Sequence, residues 1–309
     1  MVLFAFRFCI VVILLVLCAV PRSAPAQPLA GVGDLPALNI VAAPEMQAAA
    51  AQIERLDKST FLSVMRLVGL HHAGPPINVI LAAEQTNLAR NTPIWIAGFA
   101  QTGSSTIVLF PARTPSYPHD SMEALVQHEV AHILNGRAAG GRAVPRWFHE
   151  GLALAAERAS RFTDQTRLAI AVVASRHSIR AIDAEFDSSS GAAARAYAVS
   201  GAFVRDLLNR YGSQTPARLL RRLSDGTNFD AAFVAATGVT LDEAERAFWR
   251  DSWWYQVIPF ATSSLVIWTG IMFLALLAVR RRAERRAALR ARWEEDASSE
   301  NPQGHEDAI

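Results

Sequence analysis

The chain has 309 residues and a net charge of only +2, so its bulk composition gives no reason to expect a nucleic-acid partner. Its 51% hydrophobic content is high, and two apolar segments carry much of the excess. Both cysteines, Cys9 and Cys18, fall in the first of these, so no disulfide is expected elsewhere and a metal site must use histidine and carboxylate.

The first segment has the layout of a secretory signal peptide over residues 1–26. Arg7 gives a short positive region, Phe8 to Val20 an apolar core, Pro21 a break, and Ala24-Pro25-Ala26 a small-residue cleavage site. An uncleaved anchor helix is the competing reading. The second segment, 257–279, holds no charged side chain and is expected to be one transmembrane helix in contact with membrane lipid. Trp249, Trp253, Trp254 and Tyr255 precede it like an interfacial belt. Arg280, Arg281, Arg282, Arg285 and Arg286 follow it, which makes 280–309 a cytoplasmic basic tail. Residues 27–256, about 230, then form one domain on the periplasmic or extracellular side of the cell membrane.

Between these segments the chain reads as α+β: a small N-terminal sheet, then a mostly helical region. Residues 27–36 are a Pro/Gly-rich loop. Leu38 to Ala42 predicts a strand, 45–69 a helix from its apolar spacing, and Ile77 to Leu81, Ile94 to Ala97 and Thr106 to Phe110 three more strands. Asp120 with Glu123 resembles a capping box that opens a helix to about Asn135. Pro145 suits the first turn of a helix over 146–159. Further helices are predicted over 164–176, 192–210, 214–223, 228–236 and 241–255. The last opens on a capping box of Thr240 and Glu243.

The chemistry sits at 128–132, His-Glu-Val-Ala-His. Positions i and i+4 of a helix lie one above the other, so His128 and His132 can both face one zinc ion. Glu129 follows the first of them, placed to take the proton of a water that the metal acidifies. A catalytic zinc takes three protein ligands. Glu150 is the candidate third, alone among apolar neighbours in Trp147-Phe148-His149-Glu150-Gly151-Leu152-Ala153. Seventeen residues separate it from His132, enough for a turn and a return. A bare pairing of Glu150 with Arg146 is the rival reading. His149 competes as ligand, but it points about 100° away from Glu150 on a helix. Glu157, on roughly the same face, is a supporting candidate. His71, His72 and His119 read as surface residues.

The stretch Ala124 to Leu134 followed by Trp147 to Ala153 resembles the gluzincin zinc metallopeptidases, in particular the bacterial peptidase MA-like group. The resemblance covers most of 75–255, continuing through Tyr197 to Gly212 and Ala235 to Trp249. It implies a thermolysin-like core and zinc-dependent hydrolysis of peptide bonds in a peptide or protein substrate. His128, His132 and Glu150 match the ligand positions and Glu129 the general base. Thr106 to Phe110 stands where such enzymes keep a substrate-binding edge strand, with an internal strand equally compatible. Tyr197 is a candidate to stabilise the developing oxyanion, or a packing tyrosine. The chain departs from the pattern at Leu154, where such enzymes often carry an aspartate, so the group that orients the histidines is open. The alternative function is a weak or inactive metallopeptidase-like scaffold in envelope protein assembly or quality control. The intact Glu129 speaks against it.

Overall fold

The structure, a computed structural model, describes residues 34–156, 178–261 and 264–299. The expected leader 1–26, the helix expected at 164–176, Glu157 and the end of the tail lie outside the described residues.

The fold is mixed α+β, as the sequence predicts. Strand β1 (Leu38–Val41) leads to helices α1 (Gln47–Glu54) and α2 (Phe61–Val68). One helix was expected over 45–69. It is divided because the Asp57 side chain accepts from Ser59 N (2.9 Å) and Ser59 Oγ (2.7 Å), starting a new helical turn at Lys58. Strand β2 (Ile77–Leu81) and the short helix α3 (Asn87–Arg90) follow, then strands β3 (Gly98–Gln101) and β4 (Thr106–Leu109). The sheet order is β1-β2-β4-β3. The first three are parallel, with Leu38 opposite Ile77 and Asn78 opposite Thr106. Strand β3 is antiparallel to β4 and forms an edge, with Gly98 opposite Leu109.

One expectation is corrected here: the strand expected at Ile94 to Ala97 begins at Gly98 instead. Of the two positions left open for Thr106–Leu109 the structure has the internal one, so the edge beside the site is β3. Arg113 fixes the approach to β3. It pairs with Glu84 (2.8 Å) and donates to the carbonyls of Ala89, Thr92, Pro93 and Ile96. The preceding loop is therefore anchored where no strand forms. Gly98 permits close packing of β3: a Cβ there would lie 2.8 Å from Leu109 and 3.2 Å from Leu125.

The helical region comprises α4 (Met122–Ala138), α5 (Arg146–Ala156), α6 (Ser190–Tyr211), α7 (Thr215–Ser224), α8 (Phe229–Thr237), α9 (Leu241–Ala261) and α10 (Ser264–Ser299). The cap of α4 is Ser121 rather than Asp120, accepting from Ala124 N at 3.1 Å. Thr240 and Glu243 form the expected reciprocal box (2.8 and 3.2 Å).

Two apolar cores meet at α5. One packs the sheet against α2 and α4 through Phe61, Ile77, Ile107, Val126 and Ile133. The other joins α5 to α9 through Trp147, Phe148, Phe203, Phe233 and Phe248. Each fully buried side chain of this size contributes roughly 1.5–3 kcal/mol. Ala153 belongs to the first core and Leu152 to the second.

The transmembrane helix expected at 257–279 is not supported. Among the described residues no helix is long and apolar enough to cross a membrane. The uncharged stretch is shared between the end of α9 and the start of α10, with 262 and 263 outside the described residues. Within α10, residues 264–279 precede Arg280.

Candidate metal centre

Helix α4 carries His128, Glu129 and His132 as a buried stripe: they are 2%, 3% and 7% exposed. The fold can bury three polar side chains there because apolar Leu125, Val126, Val130, Ile133 and Leu134 fill the rest of the helix surface. Helix α5 supplies Glu150, buried at the seam of the two cores. The carboxylate of Asp183 starts α5, accepting from Arg146 N (3.1 Å) and Trp147 N (2.7 Å). Sequence reading missed Asp183 because it lies 36 residues beyond Trp147, outside any local capping pattern.

One oxygen of Glu150 meets both histidines. His128 Nε2 stands 3.0 Å from Oε2 and His132 Nε2 stands 3.3 Å from it. Tetrahedral ligands at about 2.0–2.2 Å from a metal stand about 3.3–3.6 Å from one another. The three ligand atoms all lie within 4.8 Å, so this group could hold a metal ion. Burial alone would push the Glu150 carboxyl up. The adjacent His132 and the hydrogen bond with His128 outweigh it and hold the group well below the usual carboxylate range. The rival pairing with Arg146 is present but longer, 3.9 Å to Oε1. Arg146 is turned to Asp187 (2.7 Å) and lies over the Phe186 ring.

His149 is outside that group. Its ring stacks on His132, with centroids 4.4 Å apart and 2° between planes. Burial first, then the neighbouring His132, hold its imidazole down to about 3. It is therefore neutral and gives Glu150 no cationic partner. Tyr197 of α6 lines the same cleft, 6.3 Å from His128 and edge-on to Phe186 and Tyr117. Burial, then the carboxylates of Glu150 and Glu129, raise its phenol well above the ordinary value. It stays protonated and keeps a hydrogen to donate.

His119 corrects the sequence reading. Expected at the surface, it is 6% exposed and packs edge-on against His128, with ring centroids 4.5 Å apart. No periodic pattern marks a lone histidine in a proline-rich loop, so the sequence held no signal for it. His71 and His72 are exposed, as expected. The cleft, about 760 Å³, is lined by residues of β3 together with His119, the α4 histidines, Glu150 and Tyr197.

Residues 64–254, more than half of the chain, match the peptidase MA superfamily. The chain belongs to the peptidase MA superfamily. No curated protein matches it. A peptidase MA chain is metallopeptidase-like, and the histidine–glutamate group of α4 and α5 falls within the matched residues. At the position where the resemblance implies a supporting aspartate, Leu154 faces α6. A Cβ on Gly201 would lie 3.2 Å from it. The rings laid against the two α4 histidines are those of His119 and His149.

Proposed function

We propose that this peptidase MA chain is a zinc-dependent metallopeptidase of the gluzincin type that hydrolyses peptide bonds in peptide or protein substrates. The observation that carries the reading is the meeting of His128 Nε2 and His132 Nε2 on one buried oxygen of Glu150. Two imidazoles and one carboxylate are a donor set suited to zinc. The ion would supply Lewis acidity, lowering the pKa of water and polarising the scissile carbonyl.

The chain's own residues do the rest. His128, His132 and Glu150 would hold the ion. Glu129 takes the proton of the attacking water and delivers it to the leaving amine. The Tyr197 hydroxyl donates to the oxygen on which negative charge develops. Gly98, Phe99 and Ala100 of the edge strand β3 line the cleft, where a main-chain edge can pair with an extended substrate.

In this reading the enzyme works at the extracytoplasmic face of the cell membrane. The support is in the sequence: the apolar leader over 1–26 with its small-residue cleavage site. A reporter fused near residue 240 should then be exported.

The deciding experiment is metal analysis of the purified full chain beside a peptidase assay on denatured protein. About one zinc per chain and hydrolysis abolished by a chelator are expected. Hydrolysis undiminished after complete metal removal would overturn the proposal.

A further inference from the structure

We propose that Arg113 is a positioning residue for the substrate: it fixes the place of the cleft edge and so governs how tightly an extended peptide binds. The inference rests on the peptidase reading above. Among the described residues Arg113 does not itself line the cleft, but the segment it holds does. Its side chain is 6% exposed, and all three of its nitrogens donate. Nε and Nη2 clasp the two carboxylate oxygens of Glu84 at 2.8 and 3.0 Å. Nη1 donates to the carbonyls of Thr92, Pro93 and Ile96 at 3.3, 3.0 and 3.0 Å, and Nη2 to that of Ala89 at 2.9 Å. The loop so gathered ends in Ile96 and Ala97, which line the cleft, and runs directly into β3. Its carbonyls converge on one cation, so it shifts only if several of these bonds break together.

A second contact runs through the rings. The Arg113 guanidinium lies 4.2 Å from the centre of the Phe110 ring, and Phe110 is tilted against Phe99 of β3, with centroids 6.2 Å apart. Phe110 N also donates to the Ala97 carbonyl at 2.8 Å. Ala97 and Phe99 therefore turn their main-chain groups towards β4. By the alternation of an antiparallel ladder, Gly98 and Ala100 turn theirs away from it. These are the groups at which an extended peptide would pair with the edge. Arg113 holds the Ile96 carbonyl two positions before Gly98, so it sets where that pairing begins. None of its hydrogen-bond partners lies on α4 or α5, the helices that carry His128, Glu129, His132 and Glu150. Loosening Arg113 thus displaces the edge and leaves the hydrolytic centre in place.

The test uses the full chain loaded with zinc and one long peptide that the wild type cleaves. Lysine keeps the charge of Arg113 but offers its donors from a single point, so it cannot span Glu84 and the loop carbonyls together. In Arg113→Lys, KM should rise by about tenfold to 100-fold, the scale on which a displacement of about 1 Å acts. The value of kcat and the zinc content should stay as in the wild type. Glu84→Gln leaves Arg113 in place and weakens only the clasp, so it should raise KM in the same direction by less. A merely structural role would move a different quantity: loss of folded protein lowers the apparent kcat and leaves KM where it was. Thermal unfolding and zinc content are read for each protein. An unchanged KM in both variants would overturn the inference and leave the peptidase reading intact. So would a fall in kcat at constant KM, or failure of both variants to fold, because Arg113 would then serve stability alone. A wild type that cleaves no peptide would instead sink the peptidase reading, and this inference with it.

Discussion

Gly151 rests on the backbone of Ser200: a methyl group added to Gly151 would lie 2.6 Å from the Ser200 carbonyl oxygen and would also strike Val204. This contact sets how closely α5 approaches α6, one residue after Glu150. Gly151→Ala must push the helices apart, and overpacking of this kind costs about 1–3 kcal/mol. The variant should melt at lower temperature and bind zinc more weakly. Gly103→Ala, where an added Cβ meets nothing within 4 Å, is the control and should do neither. Unchanged zinc affinity in Gly151→Ala would show that Glu150 does not depend on this packing.

The ligand assignment is tested by metal content after dialysis. His128→Ala, His132→Ala and Glu150→Gln each remove one of three donors that meet at a single point. Each should lose zinc. His149→Ala removes a ring stacked on His132 but no donor, so it should retain the ion. The reverse pattern, zinc lost from His149→Ala and kept by Glu150→Gln, would show that the third ligand is misassigned.

Glu129→Gln separates an enzyme from a scaffold. The side chain keeps its size but cannot accept a proton. The variant should hold zinc as the wild type does and lose hydrolysis by roughly 10²–10⁴-fold. Normal cellular function in a zinc-loaded Glu129→Gln strain would mean that catalysis is not what this protein contributes.

Tyr197→Phe removes a hydroxyl and leaves the ring against Phe186 and Tyr117. Loss of one donor to a developing oxyanion typically costs about 10²–10³-fold in kcat. The expected result is a fall of that order with zinc content and melting temperature unchanged. Equal kcat in the two proteins would reduce Tyr197 to a packing residue.

The sequence by itself determined the helix that carries His128, Glu129 and His132. His128, Glu129 and His132 are neighbours in the chain, and the 3.6-residue repeat alone brings the two histidines to one face. The meeting of Glu150 with the two histidines was also legible, because a carboxylate alone in an apolar helix needs a partner. The capping box at Thr240 and Glu243 was readable for the same reason: its two hydrogen bonds close within four residues. The tertiary structure decided everything that depends on which distant segments meet. Strands β3 and β4 are both short and apolar, and no local feature says that β4 lies inside the sheet while β3 forms the edge. His119 enters the site because its loop folds back against α4, and Asp183 caps α5 from far along the chain. Periodicity and composition are properties of consecutive residues. Strand order, edges and ring contacts are fixed by the packing of the whole core, which joins residues far apart in the chain.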